Sequence, residues 1–364
     1  MSSKVWGVAS PQDGRRVRLR DVAARAGVSI GSASQAFGRP ELVSEDVRER
    51  VLAAAEDLGY TGPDPAARRL RLGRAGALGL IFSERLRYQF TDPAAPAFLA
   101  GLAQGMEDSS LGLLLIPDSR LREATVNTVR GAAVDGFVIY SAARNDPRVE
   151  AALARQLPTV TVDQPRDAPT PFIGIDDRGG ARAAAEHLRE LGHERVAVLS
   201  FVATLDPEGA LALDLSTERL AGYKEGLGTA WDERAVRTCR PNAAEPARIA
   251  ALELLQSATP PTAMLAMSDV LALGALQAAA ELGIAVPGEL SLVGFDDSPA
   301  AVLSTPALTT IAQPQEEKGR LAAQWLIEAM ERAPAAPGRR RRRAILPTEL
   351  VVRQSTAPPA TRGR

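Results

Sequence analysis

RLRDVAARAGVSIGSASQAF, residues 18–37, reads as a helix, a tight turn and a second helix. Leu19, Val22, Ala23 and Ala26 recur at helical spacing, Gly27 breaks the run, and the Ser29 hydroxyl is placed to cap the second helix. Ala23 is small enough to let two helices approach closely, and Gly27 supplies the turn. With Ala33 and Phe37 facing back to the first helix, Ile30, Gly31, Ser32, Ser34 and Gln35 are left on the outside. Short side chains and one amide make a surface that can enter a major groove. A helix pair with a glycine between its members also occurs as plain core packing, so the flanking sequence decides between the two.

Working outward, Ser44 with Glu45 and Asp46 opens a third helix, whose stripe of Val47, Val51, Ala54 and Leu58 ends at Gly59. Residues 16–62 therefore form a three-helix bundle, preceded by a flexible tail over residues 1–15. The composition then shifts in YTGPDPAARRLRLGRAG, residues 60–76. Pro63 and Pro65 bracket Asp64, and the residues after them have room for about two helical turns carrying Arg68, Arg69 and Arg71. Taken alone, residues 63–76 are a solvated basic linker; against DNA they can fold as a hinge helix with Leu70 as an apolar wedge between base steps.

From Ala77 onward the pattern changes. Apolar runs at residues 78–82, 111–116, 136–140, 158–162, 196–199, 262–266 and 290–294 alternate with helical stretches, the rhythm of parallel sheets with helices on both faces. The alternation restarts around Leu191, Gly192 and His193, so this part reads as two lobes. The expected fold class is multidomain, an all-α helix-turn-helix head on an α/β two-lobed body. Asp163, Asp176, Asp269 and Asp296 each follow a strand, where carboxylates either line the crevice of an open α/β sheet or cap the next helix. The arginine run at residues 339–343 reads as an exposed loop with solvated charge rather than as a DNA contact.

Composition bounds the rest. At 364 residues with 45% hydrophobic content the chain supports more than one core. Net charge is -1, but residues 1–75 hold 13 Lys or Arg against 9 Asp or Glu (+4) and residues 76–364 hold 30 against 35 (-5), a modestly basic head on an acidic body. The single Cys239 forms no internal disulfide, no apolar run reaches the roughly 18 residues of a membrane span, and the amino terminus lacks a signal-peptide core. Those features point to the cytoplasm. His187 and His193, the two histidines, sit in EHLRELGHERV and suit structural roles at a helix end. Without a zinc spacing, a phosphate-binding glycine loop or a nucleophile elbow, no enzyme, metal or cofactor is expected.

DVAARAGVS, VSEDVRERVLAAAEDLGY, PDPAARRL, VDGFVIY, DDRGGARAAAEHLRELGHERVAVLS, ERLAGYKEGL, SDVLALGALQAAAELGIAVPGELSLVGFDD, PALTTIAQP and LPTELVVRQST, in this order, resemble blocks of the LacI/GalR family of bacterial transcriptional repressors. The resemblance covers nearly all of residues 18–356. It implies a DNA-binding head, a hinge helix and a body at residues 77–356 like a type I periplasmic sugar-binding protein, crossed three times by the chain near Gly192, Ile311 and Ala344. The amino-terminal lobe is then residues 77–192 and 312–343, the carboxy-terminal lobe 193–311 and 344–356, with a flexible tail at 357–364.

The same resemblance implies a homodimer on double-stranded operator DNA, with Ser29, Ile30, Gly31, Ser32, Ser34, Gln35, Arg68, Arg69 and Leu70 at the DNA. It also implies a small-molecule effector, most simply a carbohydrate, near Tyr140, Asp163, Asp176, Arg219, Asp269 and Gln313. Gly31 departs from the polar residue usual there, and SERLRYQFTDPAAPAF is longer than the usual loop; its Tyr88 and Phe90 either stack on a ligand or fill the loop. The rival reading is a soluble sugar-binding or sugar-processing protein whose amino-terminal helices only pack.

Overall fold

The computed structural model describes residues 17–62, 73–82, 94–116, 122–200, 214–332 and 341–360. The chain divides into two compact units, Met1–Ala75 and Gly76–Arg364.

In the first unit α1 (Leu19–Ala26), α2 (Ile30–Gly38) and α3 (Glu45–Asp57) form the expected bundle. The Arg18 backbone N–H donates to Asp21 Oδ2 at 2.8 Å, which anchors the first turn of α1 in place of a hydroxyl cap. Gly27 ends α1 in the left-handed region, φ 67°, while Arg50 Nη1 donates to the Ala26 carbonyl at 3.2 Å and satisfies one of the terminal acceptors. Ser29 and Ser44 cap α2 and α3 through the N–H groups of Ser32 and Val47. The core is built of small side chains: Ala23, Ala26, Ala33, Ala36, Ala54 and Ala55 with Val22 and Val51. Alanines bring the helices close but bury little apolar area, so a bundle of this size is stable by a few kcal/mol at most, on the order of 3–5. Phe37 and Tyr60, edge to face at 5.6 Å, close one end.

The second unit contains two six-stranded sheets. The first is built from β1 (Ala77–Phe82), β2 (Gly112–Ile116), β3 (Gly136–Tyr140), β4 (Thr159–Val162), β5 (Phe172–Ile175) and β11 (Arg343–Leu346), in the order β11-β5-β4-β3-β1-β2 and parallel throughout. The second is built from β6 (Val196–Ser200), β7 (Val236–Thr238), β8 (Ala263–Ala266), β9 (Ser291–Asp296), β10 (Thr309–Ala312) and β12 (Glu349–Val351), in the order β12-β10-β9-β8-β6-β7, with β12 antiparallel to β10. Leaving aside the late strands β11 and β12, both sheets run 2-1-3-4-5, so each lobe is a doubly wound fold with its ligand crevice at the carboxyl ends of the strands. The interior strands β3, β4 and β6 are buried on both faces, which is why they read as continuous apolar runs, whereas β2, β7, β11 and β12 at the sheet edges are partly exposed.

The helices of this unit are α4 (Ala94–Gln104), α5 (Arg122–Gly131), α6 (Pro147–Ala154), α7 (Asp177–Glu190), α8 (Asp214–Leu227), α9 (Ala244–Leu255), α10 (Asp269–Glu281), α11 (Pro299–Leu303) and α12 (Gln315–Glu331). In the first lobe α12 packs on α4; in the second α7 packs on α8 and α9 on α10. Close approach needs glycine at these seams: a Cβ on Gly101 of α4 would lie 1.8 Å from the Glu316 carbonyl, and one on Gly222 of α8 would lie 2.3 Å from that of Arg178.

Two of the three crossings fall elsewhere than the sequence suggests. β5 ends at Ile175 in the first sheet and α7 already packs against the second lobe, so the first crossing is at Asp176 rather than near Gly192. The strand–helix rhythm does not say which sheet a helix covers, and for α7 it points to the wrong lobe. The second crossing lies between Ala312 and Gln315, close to the expected Ile311. The third separates Leu346 from Glu349, after β11, so Ala344 belongs to the first lobe. Arg343 begins β11, with its guanidinium over the Phe172 ring at 4.5 Å, and Arg342 lies over Trp325 at 4.0 Å. Those two arginines of the 339–343 run are thus exposed but fixed in place.

Residue 357 is not tail either. Ser291 Oγ donates to the Ala357 carbonyl and accepts from its N–H, and His193 Nε2 lies 3.0 Å from the same carbonyl. With His187 at 3.0 Å from Thr356 Oγ1, both histidines tie the last described segment to the second lobe, and burial pushes both imidazoles below their usual pKa. No helix among the described residues is long and apolar enough to cross a membrane.

Candidate functional site

Two surfaces collect the residues singled out by the sequence. The first is α2. Its buried side, Ala33 and Ala36, is locked into the bundle; the other side presents Ile30, 57% exposed, with Gly31 and Gln35 also exposed. Ser29 is spent on the cap, accepting from Ser32 N at 3.0 Å, and its Oγ lies 2.9 Å from Ser32 Oγ; Ser32 and Ser34 are half-buried. Gly31 has ordinary helical backbone, and a Cβ there would meet nothing closer than Ser29 Oγ at 3.6 Å. The fold therefore does not require glycine at this position, and the bare backbone is a property of the outer surface. Arg68, Arg69 and Leu70 lie outside the described residues, as do Tyr88 and Phe90.

The second surface is the interlobe cleft. On the first-lobe side Tyr140, at the end of β3, stacks on Phe98 at 4.0 Å and 7°, and its hydroxyl donates to Gln315 Oε1 at 3.5 Å. Asp163, after β4, is buried with left-handed backbone, φ 64°, and both its oxygens are held by one ammonium: Lys318 Nζ donates to them at 3.0 and 2.9 Å. Lys318 is wholly buried and also donates to Gln313 Oε1 at 2.9 Å; Gln313 Nε2 in turn donates to Asp296 Oδ1 at 2.5 Å. A line of bonds thus runs from Asp163 in the first lobe through the second crossing to Asp296 in the second lobe. Asp296 and Asp297 hold positive φ angles of 122° and 56°, a strained corner of the sort that accumulates at ligand sites.

On the second-lobe side Arg219 of α8 is buried over the Phe295 ring at 3.5 Å, donating Nε to Asp177 Oδ1 at 2.9 Å and Nη1 to the Met267 carbonyl at 2.5 Å. Asp177 also accepts from Arg166 Nη2 at 3.0 Å. Arg166 N–H donates to Asp214 Oδ2 at 2.9 Å, and Arg144 bridges Asp214 and Asp167 at 2.8 and 2.7 Å. Among the buried side-chain polar atoms without a partner, Gln164 Oε1, Arg166 Nε and Ser216 Oγ all belong to this region. An acceptor, a donor and a hydroxyl left buried in one place invite an explanation, since native structures leave few such groups.

Two expected effector contacts have other tasks. Asp176 is exposed and caps α7 by accepting from Gly179 N at 2.9 Å. Asp269 is fully buried: Ser298 N donates to its Oδ2 at 2.7 Å and Thr310 Oγ1 to its Oδ1 at 2.5 Å, which staples α10 to the segment after β9 and to β10. Burial pushes its carboxyl up to about 6. It is Asp296, the last residue of β9, that with Gln313 lines a cavity of 540 Å³, together with Ala94, Ala97, Gln315 and Glu316 among others; Tyr140, Asp163 and Arg219 are not among its lining residues. That volume lies within the range of small-molecule sites.

Arg144, Arg166, Asp177, Asp214 and Lys318 are not singled out by the sequence. Lys318 carries a usable signal: at helical spacing it falls between Gln315 and Ala322, on the face of α12 that is buried. Among the described residues no group of acidic, histidine and cysteine side chains is arranged to hold a metal.

A three-helix reading head and a body of two doubly wound lobes around a polar cleft define a helix-turn-helix transcriptional regulator with a binding domain attached. Residues 18–62 match the bacterial regulatory proteins of the lacI family, and residues 185–356 match the periplasmic binding protein-like domain. The chain is 39% identical over 367 residues to an HTH-type transcriptional regulator of Mycobacterium tuberculosis, covering 96% of this chain and 100% of that protein. It is 36% identical over 334 residues to the HTH-type transcriptional regulator IpsA of Corynebacterium glutamicum, covering 88% and 93%. Among solved structures it resembles the lac repressor dimer bound to operator and the anti-inducer ONPF (27% identity, TM-score 0.76, 94% of this chain and 100% of that one) and a CelR–cellobiose complex (29%, TM-score 0.69, 93% and 100%). The chain belongs to the LacI family of DNA-binding transcriptional regulators.

Proposed function

We propose that this regulator is a repressor whose affinity for operator DNA is set by a small polyhydroxylated effector, a sugar by class, bound between the two lobes. The observation that carries the reading is the cleft itself: buried polar atoms of Gln164, Arg166 and Ser216 without partners, beside Asp163, Arg219, Asp296 and Gln313 on walls from both lobes. Hydroxyls donate and accept at once, which suits such a mixed set. The cellobiose bound to CelR supports the class of ligand.

At the DNA, Ile30 contacts a thymine methyl and Gln35 pairs with adenine through its amide, while Gly31 lets backbone approach. A homodimer presents two heads to a two-fold operator, as in the lac repressor dimer; exposed Ile249, Val302 and Leu303 give the second lobe apolar surface suited to a second copy. Effector binding changes the lobe arrangement and thereby operator affinity, by a coupling of about 1–3 kcal/mol, roughly 5- to 150-fold. A sugar panel screened by thermal shift tests the ligand: a binder raises the melting point of the wild type and not of Arg219→Ala, and a panel in which no sugar shifts the protein contradicts this assignment.

A further inference from the structure

We infer that an alternating chain of three arginines and three aspartates is an electrostatic clasp that holds the two lobes closed over the cleft. The chain runs Asp167, Arg144, Asp214, Arg166, Asp177, Arg219, each joined to the next by a hydrogen bond of 2.7–3.0 Å. Arg144, Arg166 and Asp167 follow β3 and β4 and belong to the first lobe, with charge 2 − 1 = +1; Asp177, Asp214 and Arg219 stand on α7 and α8 of the second lobe, with charge 1 − 2 = -1. Three of the five links, Arg144 to Asp214, the Arg166 N–H to Asp214 and the Arg166 guanidinium to Asp177, cross between lobes.

The first-lobe half of the clasp is built as a fixed strap. Gln164 Nε2 donates to the Ser141 carbonyl at 2.9 Å, Arg343 Nη1 donates to the Arg166 carbonyl at 3.2 Å, and Arg144 holds Asp167. The second-lobe half is fixed as well, since Asp214 and Arg219 share α8 and Asp177 opens the adjacent α7. Relative movement of the lobes therefore concentrates in the links between them. Asp177, clamped between an arginine from each lobe, is buried, whereas Arg144 has 56% of its side chain exposed. The inner link is protected from salt and the outer one is open to screening. Closure governed this way depends on ionic strength, and the effector's apparent affinity follows the closed fraction. This last consequence rests on the cleft being the effector site; the clasp itself does not.

The test measures lobe separation in the full chain without any ligand. Cys239 is buried, so spin labels at Glu150→Cys on α6 and Glu233→Cys, in the second lobe, report the interlobe distance by pulsed dipolar spectroscopy. The distribution is expected to shift to longer distance in Arg144→Ala and in Asp214→Asn, to shift no further in the double variant than in the larger single, and to lengthen in the wild type between 0.1 and 1 M salt, where the Debye length falls from about 10 to 3 Å. Arg144 lies at the surface, so its alanine variant keeps the wild-type melting point to within a few degrees. Unchanged distances in both single variants, or additive shifts in the double, overturn the clasp. Because no effector is present, failure here leaves the sugar-binding reading standing, and failure of the sugar panel leaves the clasp standing.

Discussion

The outer face of α2 and the interlobe cleft handle polar groups in opposite ways. On α2 the side chains are few, short or flexible, and they stand on a bundle whose core is mostly alanine. In the cleft nearly every charge is engaged: Lys318 with Asp163, Arg219 with Asp177, Arg144 with Asp214. A surface that reads DNA has to leave its hydrogen-bonding capacity for base edges, and rigidity comes from the helix beneath. A site that grips a small molecule and transmits its presence needs side chains held in place by one another, with a few atoms left over for the ligand. The difference teaches where each surface is vulnerable: the cleft through folding, the head through binding.

The largest expected effect is in the cleft. Lys318→Met leaves Asp163 buried without its cation and should destabilise the body by about 3–5 kcal/mol, while Lys318→Met with Asp163→Leu recovers much of that loss. Calorimetry of the two units checks it; the transition of the head is expected to stay in place.

Next is a pH effect from Asp269. Its folded pKa, about 6, lies above the ordinary carboxyl value, so the folded protein holds the proton more tightly than the unfolded chain. The stability this contributes is complete below about pH 4 and lost as pH rises through 6, by up to about 3 kcal/mol. Urea titrations at pH 4, 5, 6 and 7 should therefore show the wild type losing stability relative to Asp269→Asn across that window and no further change above it.

On the reading surface the changes should be in binding alone. Gln35→Ala is expected to weaken operator binding by about 1–3 kcal/mol with an unchanged melting curve and an unchanged response to effector. Smallest is Gly31→Ala: a helical glycine with room for a methyl, so the head should gain up to about 0.5–1 kcal/mol while operator preference shifts, measured by thermal melts beside a selection on randomised duplexes. A Gly31→Ala head that loses stability would place the glycine's role in the fold and blur the contrast.

How much of this is legible in the sequence varies with the kind of signal. The head reads nearly residue by residue, because caps, a turn glycine and helical spacing are all local: Ser29, Gly27 and Ser44 do what their positions suggest. The long apolar strands are equally plain. Short ones are not: β5 is four residues, FIGI, and the final apolar run forms two strands in two different sheets, β11 and β12. Lobe membership is a tertiary fact, and α7 illustrates it: no feature of its own sequence tells which sheet it covers. In the cleft, Asp163 and Arg219 can be placed in the region by a position after a strand and by resemblance, but Asp269 and Asp296 look alike from the sequence. Only burial separates the staple from the wall. Lys318 meets Asp163 across 155 positions, a pairing that topology alone creates.

The central claim is that one surface reads DNA and the other decides when. Its most direct measurement is fluorescence anisotropy of the full chain on duplex DNA from upstream of its own coding sequence, against unrelated duplex, at fixed salt, with and without the sugar that raises the melting point. The account predicts specific binding at least about 10³-fold tighter than non-specific, moved about 5- to 150-fold by the sugar in the wild type. Equal affinity for both duplexes, or specific binding that the sugar leaves untouched, would contradict it.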